Sequence, residues 1–189
     1  MKCNRRHVLR VGGAALLGMS SAGVLARAAR TQPLARDSRR RSKRIALANL
    51  HTGEHLEVEF SREGAYIPHA LSAIEVLLRD FRNDERHSID PQLMDYLVQV
   101  ADTAGVEPVF NVISGYRSPQ TNAILQARSA QVAPHSLHME GRAIDVRLAH
   151  VDCASLAMQA RNLRWGGVGY YRASDFVHLD TGKFRTWKG

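Results

Sequence analysis

The sequence predicts an α+β domain, an antiparallel sheet flanked by helices, and three observations predict it. A chain of 189 residues, 44% of them hydrophobic, allows one ordinary domain with a proper core plus an extension. Short apolar-rich segments bounded by turn residues read as strands, the clearest being the alternating run Ala143-Ile-Asp-Val-Arg-Leu148. Between them, apolar residues at helical spacing mark helices that cover a core.

Taken in order, Ile45 to Leu50 and His55 to Phe60 flank His51-Thr-Gly-Glu54 in a hairpin pattern. His51 and His55 are read as turn residues rather than ligands. Pro68 to Phe81 places Ala70, Ile74, Leu77, Leu78 and Phe81 on one helical face. Pro91 to Ala104 repeats the pattern with Leu93, Tyr96, Leu97, Val100 and Ala101; Asp90 is its N-cap, Pro91 its first residue and Gly105 its stop. Val109 to Ser114 reads as a buried strand running into a turn at Ser114-Gly115, and Gln120 to Ala127 as a short helix. Cys153 to Leu163 is helical, and Gly166 to Tyr171 and Phe176 to Leu179 are strands joined by Arg172-Ala-Ser-Asp175. Cys153 is read as a small buried helix residue. With Cys3 the only other cysteine, no disulfide framework is expected.

The formal charge of +8 suggests an anionic partner until it is located along the chain. Residues 1–28 carry five basic and no acidic residues, and residues 29–44 carry seven basic residues against Asp37. The remaining 14 basic residues face 17 acidic ones, so the domain, 45–189, is mildly acidic, near −3, and no nucleic-acid binding is expected of it. Residues 1–28 have the order of an export signal: Arg5-Arg6 ahead of Val8 and Leu9, a glycine-rich apolar stretch, then Ala26-Arg27-Ala28. The paired arginines resemble a twin-arginine signal, which implies the twin-arginine export machinery and a periplasmic location, with membrane anchoring if the signal stays uncleaved. Residues 29–44 read as a basic disordered linker, either solvated or in contact with an anionic membrane or envelope surface.

The chemistry concentrates in Ser136-Leu-His-Met-Glu-Gly-Arg-Ala-Ile-Asp145, answered by Asp175-Phe-Val-His-Leu-Asp180. His138, Asp145 and His178 make a three-ligand set for Zn(II), one ion per domain, with a fourth position left for water. Gly141 allows a tight turn or close approach of a metal. Arg117, just beyond a strand, offers a planar fork to a substrate carboxylate or carbonyl, or forms a surface ion pair. His135 and His150 are read as rim residues, since a fourth protein ligand would close the site. Trp165, Tyr170 and Tyr171 either line a groove or pack in the core.

Three motifs, Ser114-Gly-Tyr-Arg-Ser118, Ser136 to Asp145 and Phe176-Val-His-Leu-Asp180, resemble those of the zinc D-Ala-D-Ala carboxypeptidase and murein endopeptidase family, whose metal-site architecture is shared with the hedgehog signalling domain. The resemblance covers most of residues 45–188 and implies a zinc metallopeptidase hydrolysing amide bonds in peptidoglycan peptides. It implies His138, Asp145 and His178 as metal ligands, Arg117 at the substrate or developing oxyanion, and Ser136 near the substrate, with support of a neighbouring site residue as the alternative for Ser136. Many members of that family carry a glutamate three residues before the last histidine. Asp175 stands there as the expected general base, with Asp180 the alternative or a support for a ligand histidine. Cross-link cleavage is the leading reaction. Release of a terminal D-amino acid, and a non-catalytic zinc-stabilised wall-binding module, stay open.

Overall fold

The structure, a computed structural model, describes residues 42–129 and 132–189. The expected signal segment, and the expected linker as far as residue 41, lie outside the described residues. Among those described, no helix is long and apolar enough to cross a membrane.

Strand β1 (Ser42–Asn49) begins three residues earlier than expected, so Ser42, Lys43 and Arg44 belong to the sheet rather than to a linker. It pairs antiparallel with β2 (His55–Arg62) through the expected hairpin, and a two-residue strand β3 (Ala65–Tyr66) follows. Helix α1 (Pro68–Leu77) stops short of Phe81. Asp80 there enters a turn, pairing with Glu85 and accepting from the backbone N–H of Arg82. Helix α2 (Pro91–Ala104) has the expected ends: the Asp90 carboxylate accepts from the N–H of Gln92, Pro91 opens the first turn, and Gly105 closes it at φ 74°.

Strand β4 (Val109–Ser114) leads to helix α3 (Pro119–Arg128), capped by Ser118. A 3₁₀ turn (Leu137–Glu140), strand β5 (Ala143–Leu148), helix α4 (Cys153–Leu163), and strands β6 (Gly167–Tyr171), β7 (Phe176–Asp180) and β8 (Arg185–Lys188) complete the chain. The expectation for Cys153 holds in that it is a buried free thiol, raised to about 11 by burial and by the neighbouring Asp175 carboxylate.

The eight strands form one sheet in the order β3-β2-β1-β4-β5-β7-β6-β8. The α+β class stands, with one difference: the sheet is mixed, because β1 pairs parallel with β4 and β6 with β8. A strand's two faces alternate, and the sheet uses this to separate core from chemistry. Ile144, Val146 and Leu148 of β5, with Val177 and Leu179 of β7, face the buried cluster that includes Leu93 and Leu97 of α2 and Leu156 and Ala160 of α4. The intervening residues Asp145, His178 and Asp180 share the opposite face, and the antiparallel register sets Asp145 directly across from His178.

Candidate metal centre

The motif around His138 is held by contacts at both ends. The Ser136 hydroxyl caps the 3₁₀ turn, 3.4 Å from the N–H of His138. The turn closes at Gly141 with φ 65°, a conformation that favours glycine. A Cβ on Gly141 would lie 2.0 Å from the carbonyl oxygen of Ser88, so the small residue serves packing against the segment before α2; of the two expected roles, the tight turn applies. The Gly141 carbonyl accepts from the N–H of Asp90, and the Asp90 carboxylate accepts from the hydroxyl of Thr181, just beyond β7. The N-cap of α2 therefore ties the His138 turn to the strand that carries His178.

His138, Asp145 and His178 come together as expected, all buried. His138 Nε2 lies 3.1 Å from His178 Nδ1 and 3.3 Å from Asp145 Oδ1, and His178 Nδ1 lies 2.9 Å from the same oxygen. A tetrahedral zinc with ligands at 2.0–2.2 Å sets ligand atoms about 3.3 Å apart, so the three donors fit such an ion. On the outer side, His138 Nδ1 is 2.7 Å from the carbonyl oxygen of Gly115. A carbonyl only accepts, so Nδ1 carries the hydrogen and Nε2 turns a lone pair toward Asp145 and His178.

The electrostatics follow from burial and this close grouping. Burial lowers the pKa of His138 against the pull of Asp145. Burial also opposes charge on His178, but the Asp145 and Asp180 carboxylates outweigh it and raise the imidazole. Asp145 is held well below the usual carboxylate range: burial would raise it, and the two histidines prevail. An ionised Asp145 beside His138 and His178 offers one carboxylate and two imidazoles to a cation.

The trio lies at the wall of a cavity of about 390 Å³ that Arg117, Ser136 and Tyr171 also line. Arg117 is anchored by Asn122 Oδ1 at 3.3 Å from Nη1, with Nη2 3.8 Å from Asp145 Oδ2. Its Nε is buried without a hydrogen-bond partner. Burial lowers its pKa, with Asp145 opposing.

Asp175 is not brought to the trio. It sits in the turn before β7 with φ 51°, its carboxylate largely exposed, 3.3 Å from Arg147 Nε, and it does not line the cavity. Asp180, the alternative base, is fully buried behind His178, with Oδ2 3.0 Å from Nε2. His135 lines the cavity rim, whereas His51 stacks on Phe81 and His150 lies in a turn; none joins the ligand group. Trp165 stacks on Tyr96.

Sequence reasoning missed Arg185 and Trp187, both of which line the cavity. Trp187 packs on the His178 ring with centroids 5.2 Å apart. A signal for them existed. Gly167 and Gly169 alternate on β6, Arg185 and Trp187 alternate on β8, and the parallel register pairs Gly167 with Arg185 and Gly169 with Trp187. A Cβ at Gly169 would lie 2.4 Å from Trp187 Cε2, so each glycine makes room for a large partner.

The chain matches the peptidoglycan L,D-endopeptidase MepK family over residues 37–187. Peptidoglycan L,D-endopeptidase MepK of Escherichia coli strain K12 is 40% identical over 184 residues, covering 97% of each chain. The Haemophilus influenzae protein named "Probable peptidoglycan L,D-endopeptidase MepK" is 38% identical over 188 residues, covering 98% of this chain and 96% of its own. No solved structure matches. With 38–40% identity to these relatives over nearly the full length and all three motifs intact around one buried trio, the chain belongs to the peptidoglycan L,D-endopeptidase MepK family.

Proposed function

We propose that this protein is a zinc-dependent endopeptidase that hydrolyses peptide cross-links in peptidoglycan, at bonds joining an L- to a D-residue. The observation that supports the reading best is the convergence of His138 Nε2, Asp145 Oδ1 and His178 Nδ1 within 3.3 Å of one another at the wall of a cavity. A Zn(II) held by these three residues would supply a water whose pKa is lowered enough for attack near neutrality.

The chain's own residues set the rest. Arg117, fixed by Asn122 and with an unpartnered Nε, offers a planar donor set to the carbonyl oxygen that becomes negative during attack. Ser136 holds the His138 turn in place from the cavity wall. Asp175 is engaged by Arg147 and Asp180 is sealed behind His178, so neither is assigned proton transfer. Export through the signal at residues 1–28 would deliver the enzyme to the periplasm, where its substrate lies, and the basic linker would keep it close to anionic envelope surfaces.

Digestion of purified peptidoglycan by the zinc-loaded protein, with products identified by mass, tests this reading. Cross-linked dimers should fall to monomers cut at an L,D bond. Release of terminal D-residues alone would instead indicate a carboxypeptidase, and binding without cleavage a wall-binding module.

A further inference from the structure

Asp180 lies outside the ligand trio but inside a dense network. Oδ1 accepts from the backbone N–H groups of Gly167 at 3.0 Å and Gly182 at 2.8 Å, and from Arg185 Nη1 at 3.1 Å. Oδ2 accepts from Arg185 Nη2 at 2.8 Å and faces His178 Nε2 at 3.0 Å. The residue has no solvent exposure. Gly167 is needed for this arrangement, since a Cβ there would come within 2.3 Å of Asp180 Oδ2.

From this network the geometry points to Asp180 as a positioning residue: a carboxylate locked by Arg185 and two backbone N–H groups fixes His178 as its Nε2–H tautomer and so makes Nδ1 the ligand atom. An ionised carboxylate only accepts, so the hydrogen between the two groups belongs to His178 Nε2. Once a cation takes the place of any hydrogen between His178 Nδ1 and Asp145, the neutral imidazole with Nε2–H presents its lone pair at Nδ1, the atom that faces Asp145 and His138. The two ligand histidines are therefore set in opposite senses. His138 is held at Nδ1 by a backbone carbonyl and coordinates through Nε2; His178 is held at Nε2 by a carboxylate and coordinates through Nδ1. Both Asp180 oxygens are engaged, and the fully buried residue does not line the cavity, which separates this role from that of a base.

The inference rests on the metal-site reading above, and Asp180→Asn probes it directly. The two backbone N–H groups keep the asparagine oxygen at the Oδ1 position, so its NH₂ takes the place of Oδ2 and donates toward His178 Nε2, while the half-exposed Arg185 side chain gives up its Nη2 contact there. The imidazole hydrogen is then driven to Nδ1, where it blocks coordination. Zinc affinity, measured by competition with a chromophoric chelator, should fall about 10–100-fold, with circular dichroism unchanged. Nitrogen-15 NMR of the zinc-loaded wild-type protein should show His178 with a hydrogen on Nε2 and the metal on Nδ1. The opposite pattern overturns the inference whether or not the variant folds, as does wild-type zinc affinity in a folded Asp180→Asn protein. If the wild-type protein binds no zinc, the metal-site reading itself fails, a result separate from either of these.

Discussion

Arg147 Nε lies 3.3 Å from Asp175 Oδ2, and the same guanidinium donates to the carbonyl oxygens of Ser174 and Asp175, strapping the 172–175 turn to strand β5. The strap determines what Asp175 can do. Its carboxylate is committed beside β5 while Ser174 and Phe176 on either side line the cavity. Asp175→Asn should therefore leave kcat/KM within about fivefold of wild type, the size of a ~1 kcal/mol perturbation. Steady-state assays on a defined cross-linked peptide, with zinc content measured in parallel, check this. A hundredfold loss at full zinc occupancy would show that the turn releases Arg147 and brings the carboxylate to the reacting bond.

The contrast between Asp175 and Asp145 shows where sequence reasoning reaches. Asp145 and His178 lie in strands whose strict two-residue alternation fixes which face each side chain takes, so their meeting could be inferred once both strands were recognised. Asp175 lies in a turn with positive φ, and no spacing rule gives the direction of a side chain there. Strand β8 was missed for a different reason. It is four residues long, mostly exposed and paired in parallel, so it carries neither an apolar stripe nor a hairpin turn. The Gly167-Val-Gly169 alternation marks β6 as a strand, which it is, but does not name the partner for which the glycines make room. The parallel β1–β4 pairing is likewise set by tertiary packing, with two helices intervening between the strands.

Trp187 gives the missed strand a measurable role. The indole packs on the His178 ring and fits because Gly169 has no side chain. Gly169→Ala introduces a methyl 2.4 Å from Trp187 Cε2, so the indole must move. The cost should be about 1–3 kcal/mol, typical of overpacking, seen as a lower denaturation midpoint together with a red-shifted tryptophan emission. Unchanged emission and stability would mean that the indole does not occupy this place in solution.

Asp80 is the buried carboxylate that braces the Arg117 segment. Its Oδ2 accepts from the N–H and hydroxyl of Ser118 at 3.0 and 2.9 Å, and its Oδ1 from the N–H of Arg82 at 3.2 Å. Burial alone would raise its pKa, but hydrogen bonds from Thr121, Ser118 and Arg82 outweigh it, and the folded value lies below the ordinary one. A depressed carboxylate stabilises the fold fully above the unfolded pKa of about 3.9. That contribution is lost as pH falls from there through the folded value. Asp80→Ala leaves Ser118 donors buried without their partner and should cost about 2–3 kcal/mol at neutral pH. Because the variant lacks the carboxylate, the gap between its urea midpoint and that of wild type should shrink as the pH is taken from 5 to about 2. A gap that stayed constant across that range would show that ionisation of Asp80 contributes nothing.

Arg117 offers the sharpest separation of binding from chemistry. Its guanidinium is held by Asn122, stands 3.8 Å from Asp145 and keeps a buried Nε without a partner. Lysine would retain the charge near Asp145 but lose the planar fork, so Arg117→Lys should keep the metal while losing the donor geometry aimed at a developing oxyanion. Loss of one such donor lowers kcat about 10²–10³-fold. The decline should fall on kcat more than on KM, because the interaction strengthens only as the carbonyl oxygen becomes negative. Zinc titration and steady-state kinetics on the same preparation decide the matter. A rise in KM at constant kcat would instead make Arg117 a residue that holds a substrate carboxylate in the ground state, and a fall in zinc affinity would make its main role the support of Asp145.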